Sequence, residues 1–148
     1  MQRRAIMGEA ADVFRAVYAA YLADDWATLA ELYAPDAELN LPGRPPIVGR
    51  DAIIAQWQRT RTAFPDDGGS YQVLIEQGEI AAGEKQYSGT HSGPLQMTGR
   101  TIPPTGNRFS IADSDFMVVK NGKCVAHRVY FDLFALTVQL GLMPPPPG

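Results

Sequence analysis

The sequence has a single cysteine, Cys124, and two histidines, His91 and His127, among 148 residues. A lone thiol closes no internal disulfide, and this count falls short of a Cys/His zinc set, so no metal and no disulfide framework are expected. Cys124 reads as a small apolar filler in a strand. Runs of charge are equally scarce. The thirteen Lys and Arg are scattered, with no run longer than Arg3-Arg4, and sixteen Asp and Glu give a formal net charge of -3. That balance argues against a nucleic-acid partner. No apolar stretch approaches the ~20 residues of a membrane span. The N-terminus turns acidic and polar at Glu9 before a signal-peptide core forms, so the expectation is a cytoplasmic protein with no membrane partner. Low complexity is confined to Pro144 through Pro147 and Gly148, which can neither pair as a strand nor continue a helix. They read as a tail behind one domain, residues 1–143.

What is present fits one compact soluble domain: 45% of residues are apolar and 20% charged. A chain of this length buries roughly 70% of its open-chain surface on folding, enough to stand without staples. Between Ala11 and Leu22, the apolar residues Val13, Phe14, Val17, Tyr18, Tyr21 and Leu22 form a helical stripe. Asp24-Asp25 breaks it and caps a short second helix with Trp26, Leu29, Leu32 and Tyr33 inside, ended by Pro35. After an extended run from Ala37 to Leu41 and a Pro/Gly loop, Gly49-Arg50-Asp51 opens a third helix that stops at Phe64-Pro65. The period then changes from helical to alternating. Strands are expected from Tyr71 to Ile75, Ile80 to His91, Phe109 to Val119 and Lys123 to Phe131, with a last helix from Leu133 to Leu140. Ser92 to Gly106 reads as a turn-rich connection. Helices first, a strand meander next and a closing helix is an α+β pattern, with the N-terminal helices covering one face of a curved antiparallel sheet.

Asn121-Gly122 signals a hairpin whose register has two readings. A two-residue turn sets Asp115 against Arg128 as a surface ion pair. A three-residue loop from Lys120 to Gly122, with a bulge, sets Asp115 against His127. Alternation then puts Ile111, Met117, Val125, Val129 and Phe131 around that pair, and the second reading is the one adopted. A buried Asp-His pair is a plausible general base, with His127 as base and Asp115 orienting it. The glycines at 43, 49, 93 and 99 lack the strand-turn-helix frame of a phosphate loop, so no nucleotide cofactor is expected.

Ser88-Gly-Thr-His-Ser-Gly-Pro-Leu95, Ile102-Pro-Pro-Thr-Gly106, Asn121-Gly-Lys-Cys-Val-Ala-His-Arg-Val-Tyr-Phe-Asp132 and Gln139-Leu-Gly-Leu142, in this order, resemble the SnoaL-like polyketide and ester cyclase family. That family shares the cone-shaped fold of ketosteroid isomerase and nuclear transport factor. The resemblance implies a cone-shaped antiparallel sheet with a pocket inside and a homodimer. Ring-closing members and epoxide hydrolases of this fold carry an aspartate two positions after His127, where this chain has Val129. The hydrolases also use an arginine and a second aspartate at positions matched by Lys85 and Tyr87, so the hydrolase triad is not expected. Asn40 matches an active-site asparagine.

The site expected from these readings has His127, Asp115 and His91 as catalytic candidates. Its substrate-binding candidates are Asn40, Tyr87, Lys85, Trp57, Phe116, Met117, Val129 and Phe131. His91 is weighed as a proton donor or anchor against a structural role, Tyr87 as an oxyanion donor against a cavity wall, and Asp132 as a helix cap against a pocket carboxylate. The reading is a cofactor-free cyclase or isomerase, a lyase in the broader sense, moving a proton on a small apolar carbonyl, ester or epoxide substrate. The alternative is a non-catalytic module of the same fold that binds a small ligand or dimerises.

Overall fold

A computed structural model describes residues 8–148, so the N-terminal segment read for a signal sequence lies, through Met7, outside the described residues. Helix α1 (Glu9–Leu22) buries Val13, Phe14, Val17 and Tyr21, the predicted stripe, and ends as Asp24 turns left-handed at φ 53°. Helix α2 (Trp26–Leu32) is capped by the Asp25 carboxylate, which accepts the Thr28 amide at 3.1 Å. Tyr33, predicted inside α2, instead opens strand β1 (Tyr33–Asn40). Pro35 disfavours helical backbone at the residue before it, so the chain straightens early. Strand β2 (Ile47–Val48) and helix α3 (Arg50–Ala63) follow, then β3 (Tyr71–Gln77) and β4 (Ile80–Thr90). The stretch predicted as turns folds in part as a hairpin, β5 (Leu95–Met97) and β6 (Arg100–Ile102), turning at Gly99 with φ 77°. Strands β7 (Arg108–Lys120) and β8 (Lys123–Phe131) and helix α4 (Leu133–Gln139) complete the order.

Six strands form one sheet in the order β2-β1-β8-β7-β4-β3. Every pairing in it is antiparallel except β1 with β8, which run parallel. The all-antiparallel expectation is corrected there: most of the chain lies between these two strands, and so long a connection permits a parallel pairing. α1 packs across β3, β4, β7 and β8, α3 against β1, and α4 against β7. The main core runs between the helices and the sheet's inner face, where Phe14, Leu29, Tyr33, Leu39, Ile53 and Met117 are fully buried.

The β7-β8 register differs from both sequence readings. Asn121 (φ 51°) and Gly122 (φ 74°) form a two-residue turn with Lys120 opposite Lys123, the left-handed pair that Asn-Gly supplies easily. A bulge at Val125 then shifts the ladder, so Val118 faces Ala126, Met117 faces His127 and Asp115 faces Val129. The three-residue loop from Lys120 to Gly122 does not form. The extra residue in β8 nonetheless brings Asp115 and His127 to one face, because a bulge inverts the alternation beyond it. The two-residue turn itself sets Cys124 beside inward Val119, so fully buried Cys124 lies inside where Val125 was expected.

Candidate active site

The sheet's inner face, helices α1, α3 and α4, and the β5-β6 hairpin enclose a cavity of about 220 Å³. Its walls are largely apolar, with Met117, Val129 and Phe131 from the long hairpin and Leu136 and Leu140 from α4. Into this surface period-two alternation on β7 brings two carboxylates, Asp113 and Asp115, both buried.

A chain of hydrogen bonds fixes Asp115. Trp57 Nε1, a pure donor, gives its proton to the Tyr33 hydroxyl at 3.1 Å. Tyr33 Oη lies 2.7 Å from His127 Nδ1, and His127 Nε2 lies 2.9 Å from Asp115 Oδ2. With Tyr33 accepting from the indole, its own proton goes to Nδ1, and Nε2 carries the proton donated to the carboxylate. Both imidazole nitrogens are thus engaged. Asp115 Oδ1 is buried and accepts no hydrogen bond among the described residues; its closest cation is Lys85 Nζ at 3.7 Å. Fully buried Leu39 pairs beside His127 on β1, and the Tyr33 and Trp57 rings lie 6.2 and 5.6 Å from the imidazole centre.

Lys85 stands between the carboxylates, with Nζ 2.8 Å from Asp113 Oδ1 and 3.7 Å from Asp115 Oδ1. It also donates to the Tyr71 hydroxyl at 2.9 Å and lies 4.3 Å from the centre of that ring, with the Tyr18 and Tyr87 rings at 5.2 and 5.5 Å. Aromatic faces and carboxylates together compensate a buried cation. Burial, with the Asp115 carboxylate beside it, pushes Asp113 up to about 7 against the pull of Lys85. Burial acts upward on Asp115 too, yet the His127 hydrogen bond and the Lys85 charge outweigh it and hold that carboxyl well below the usual range. Two neighbouring acids are therefore driven apart, the arrangement that separates a proton donor from a proton acceptor. Burial pushes the Tyr18 phenol up to about 12, so it stays protonated.

A second network holds the far wall. Asp67 takes Arg61 Nη1 on Oδ1 at 2.5 Å, and the hydroxyls of Tyr21 and Tyr87 on Oδ2. Tyr87 therefore lines the cavity with its hydroxyl committed to Asp67, the cavity-wall alternative of its two readings.

Of the predicted site residues, His127, Asp115, Tyr87, Lys85, Trp57, Met117, Val129 and Phe131 all line this one cavity. Three others do not. Phe116 lies on the opposite face of β7, where its ring meets Tyr130 edge-on at 5.9 Å, because its parity is that of the outward residues. Asn40 points outward with Glu38, to which its amide donates at 3.0 Å, while Leu39 between them points in. His91 is fully buried outside the cavity, its Nδ1 accepting the Thr105 amide at 3.2 Å and its ring beside Phe64. Asp132 accepts the Ala135 amide at 2.9 Å and caps α4. Sequence reasoning missed Asp113, although it shares parity with Asp115 two residues on; the signal was there in the alternation. The Tyr18, Tyr71 and Asp67 contributions come from separate elements and leave no local pattern.

A profile of SnoaL-like polyketide cyclases matches residues 11–140. The chain belongs to that family. No curated protein matches it by sequence. Among solved structures, IdmH from Streptomyces antibioticus, assigned as a polyketide cyclase, is 32% identical with a TM-score of 0.74, covering 90% of this chain and 99% of its own. A SnoaL-like polyketide cyclase assigned in Jannaschia sp. CCS1 superposes with TM-score 0.83 at 18% identity, over 98% of this chain and 99% of that one. An LEH-like epoxide hydrolase from M. tuberculosis shares the fold at TM-score 0.69 and 17% identity, over 89% of each chain. Among the described residues no cluster of three His, Cys, Asp or Glu side chains could hold a metal, and no helix is long and apolar enough to cross a membrane.

Proposed function

We propose that this SnoaL-like chain is a cofactor-independent cyclase or isomerase that moves a proton on a small apolar carbonyl or ester substrate, with Asp115 as the proton acceptor. The observation that carries this reading is Asp115 Oδ1, which accepts no hydrogen bond and lies 3.7 Å from Lys85 Nζ at a cavity wall. His127 is a positioning residue, since both its nitrogens are bonded within the protein. Asp115 stands directly across from Val129. Opposed residues carry their Cβ atoms about 5 Å apart, so a carboxylate from β7 can serve the place where ring-closing relatives carry one on β8.

In this mechanism Asp115 Oδ1 takes a proton from the carbon beside the carbonyl, and the C–H electron pair moves into the carbonyl as an enolate. Lys85, and Asp113 in its protonated form, stabilise the enolate oxygen by hydrogen bonding. The enolate carbon then either attacks a second carbonyl, whose π pair becomes an alkoxide that takes the proton back from Asp115 as the ring closes, or, in an extended enolate, a different carbon takes that proton from Asp115 and the isomerisation is complete. A homodimer in the cytoplasm belongs to the same reading, and the exposed apolar residues Val73, Ile75 and Tyr130 are compatible with a partner copy. The second reading, a ligand-binding module, draws on the apolar Val129 at the family's acid position.

Turnover of β-keto esters, ketosteroids and epoxides, with melting temperature as the folding control, separates the two. Asp115→Asn is expected to cut the rate ~100-fold or more, as loss of a positioned base does. His127→Gln, which can still hydrogen-bond Asp115, is expected to cost less. No turnover of any of these compounds by the unaltered protein would transfer the assignment to the binding module.

A further inference from the structure

At the cavity mouth, Gln56 of α3 is buried, and its side-chain oxygen accepts from two guanidinium groups, Arg44 Nη1 at 2.9 Å and Arg59 Nη2 at 3.1 Å. The Gln56 amide nitrogen donates to the Thr60 hydroxyl at 3.2 Å, which in turn donates to the Gln56 backbone carbonyl, so the side-chain amide is held with its oxygen toward the arginines. Two like charges converge on one neutral oxygen. Among the described residues neither arginine forms an ion pair with a carboxylate, in a chain with a net negative charge. Both guanidinium groups reach the solvent edge, and partial burial with the neighbouring Arg59 charge lowers Arg44. Arg44, Gln56 and Thr60 line the same cavity as Asp115 and Lys85, while exposed Arg59 stands just outside the lining and reaches it through its bond to Gln56.

We infer that this mouth binds a carboxylate, so that the substrate is an apolar body carrying its reacting carbonyl at the Asp115 end and a free carboxylate at the Arg44-Arg59 end. The inference rests on the proton-transfer reading of the same cavity and adds the class of substrate. Two planar guanidinium groups suit the two oxygens of a carboxylate. The bound group supplies the counter-charge that Gln56 cannot, while the apolar walls take the body of the molecule.

Calorimetric titration with 2-naphthylacetate and its neutral counterpart 2-naphthylacetamide tests the site without any turnover. The carboxylate is expected to bind about 10-fold tighter, a charge-assisted gain of the usual size, with the preference weakening as salt rises. Arg44→Gln and Arg59→Gln should each lose most of that preference while the amide still binds. Equal binding of the two compounds, binding of neither, or a preference that survives both substitutions would overturn the inference. A protein that prefers the carboxylate yet turns over no carbonyl compound keeps the site and loses the catalytic reading, so the two failures are distinguishable.

Discussion

Replacing Lys85 with Met would leave two buried carboxylates facing each other without their cation. Lys85 Nζ lies 2.8 Å from Asp113 and 3.7 Å from Asp115, and all three side chains are less than a tenth exposed. Removing one partner of such a buried set costs about 3–5 kcal/mol, because the remaining charge is stranded. For a chain of this length each kcal/mol moves the melting point by about 2–4 °C, so a drop of roughly 10 °C is expected near pH 8. The loss depends on pH, and the sign follows from Asp113. Its folded value is already raised to about 7, well above the ~3.9 of an unfolded aspartate. Such a group holds its proton more tightly when folded, so stability falls as pH rises from about 4 through 7. Taking away the cation raises Asp113 further. The deficit of Lys85→Met should therefore be largest at pH 8 and shrink toward pH 5, where Asp113 is protonated. Asp115 acts with the opposite sign, since its depressed value adds stability above the unfolded range that is lost only in stronger acid. A second substitution, Asp113→Asn in the Lys85→Met background, removes the stranded charge and should return part of the loss. Thermal melts of the unaltered protein, Lys85→Met, Asp113→Asn and the double variant across pH 5 to 8 read this directly. An equal deficit at both ends of that range, or no recovery in the double variant, would refute the placement of Lys85 as counter-ion to Asp113.

The rate on carbonyl substrates should decline as pH rises through about 7, where Asp113 loses its proton, and stay level below that while Asp115 remains ionised; a level profile from pH 6 to 9 would contradict the roles given to the pair. Tyr33→Phe removes the acceptor for the Trp57 indole and the donor to His127 Nδ1, and should cost about 1–3 kcal/mol in chemical denaturation. Val129→Asp sets a third carboxylate about 5 Å from Asp115, a repulsion of roughly 3 kcal/mol at an effective dielectric of 20. Its melting temperature should fall steeply at pH 8 and recover on acidification, and unchanged stability at pH 8 would show that the two residues do not share the cavity wall.

The helices and main strands were legible because each has one buried face and its own period: Val13, Phe14, Val17 and Tyr21 on α1, and the odd-numbered residues of β7. Asp25 and Asp132 announced their helix starts by type and position, and both accept the expected amide. The hairpin register was not legible, because a bulge is set by the fit of β8 into the whole sheet, and Val125 carries no local mark of it. One residue of slip decides which side chains face in, so the same event explains why Asp115 and His127 meet although the turn has two residues. Asn40 and Phe116 failed for a related reason: each lies one residue away from the inward-facing Leu39 and Met117. The roles within the Asp115-His127 pair depended on Tyr33 and Trp57, from β1 and α3, whose hydrogen bonds no short-range pattern announces.

Exchange of a carbon-bound proton measures the central claim most directly, because it reads proton removal whether or not a ring closes. In deuterated buffer the unaltered protein should speed exchange at the carbon between the two carbonyls of a β-keto ester, followed by NMR, well beyond the buffer rate. Asp115→Asn, folded by its melting curve, should lose ~100-fold or more of that acceleration. Exchange at the unaltered rate by Asp115→Asn, or none above buffer by the unaltered protein, would contradict Asp115 as the acceptor.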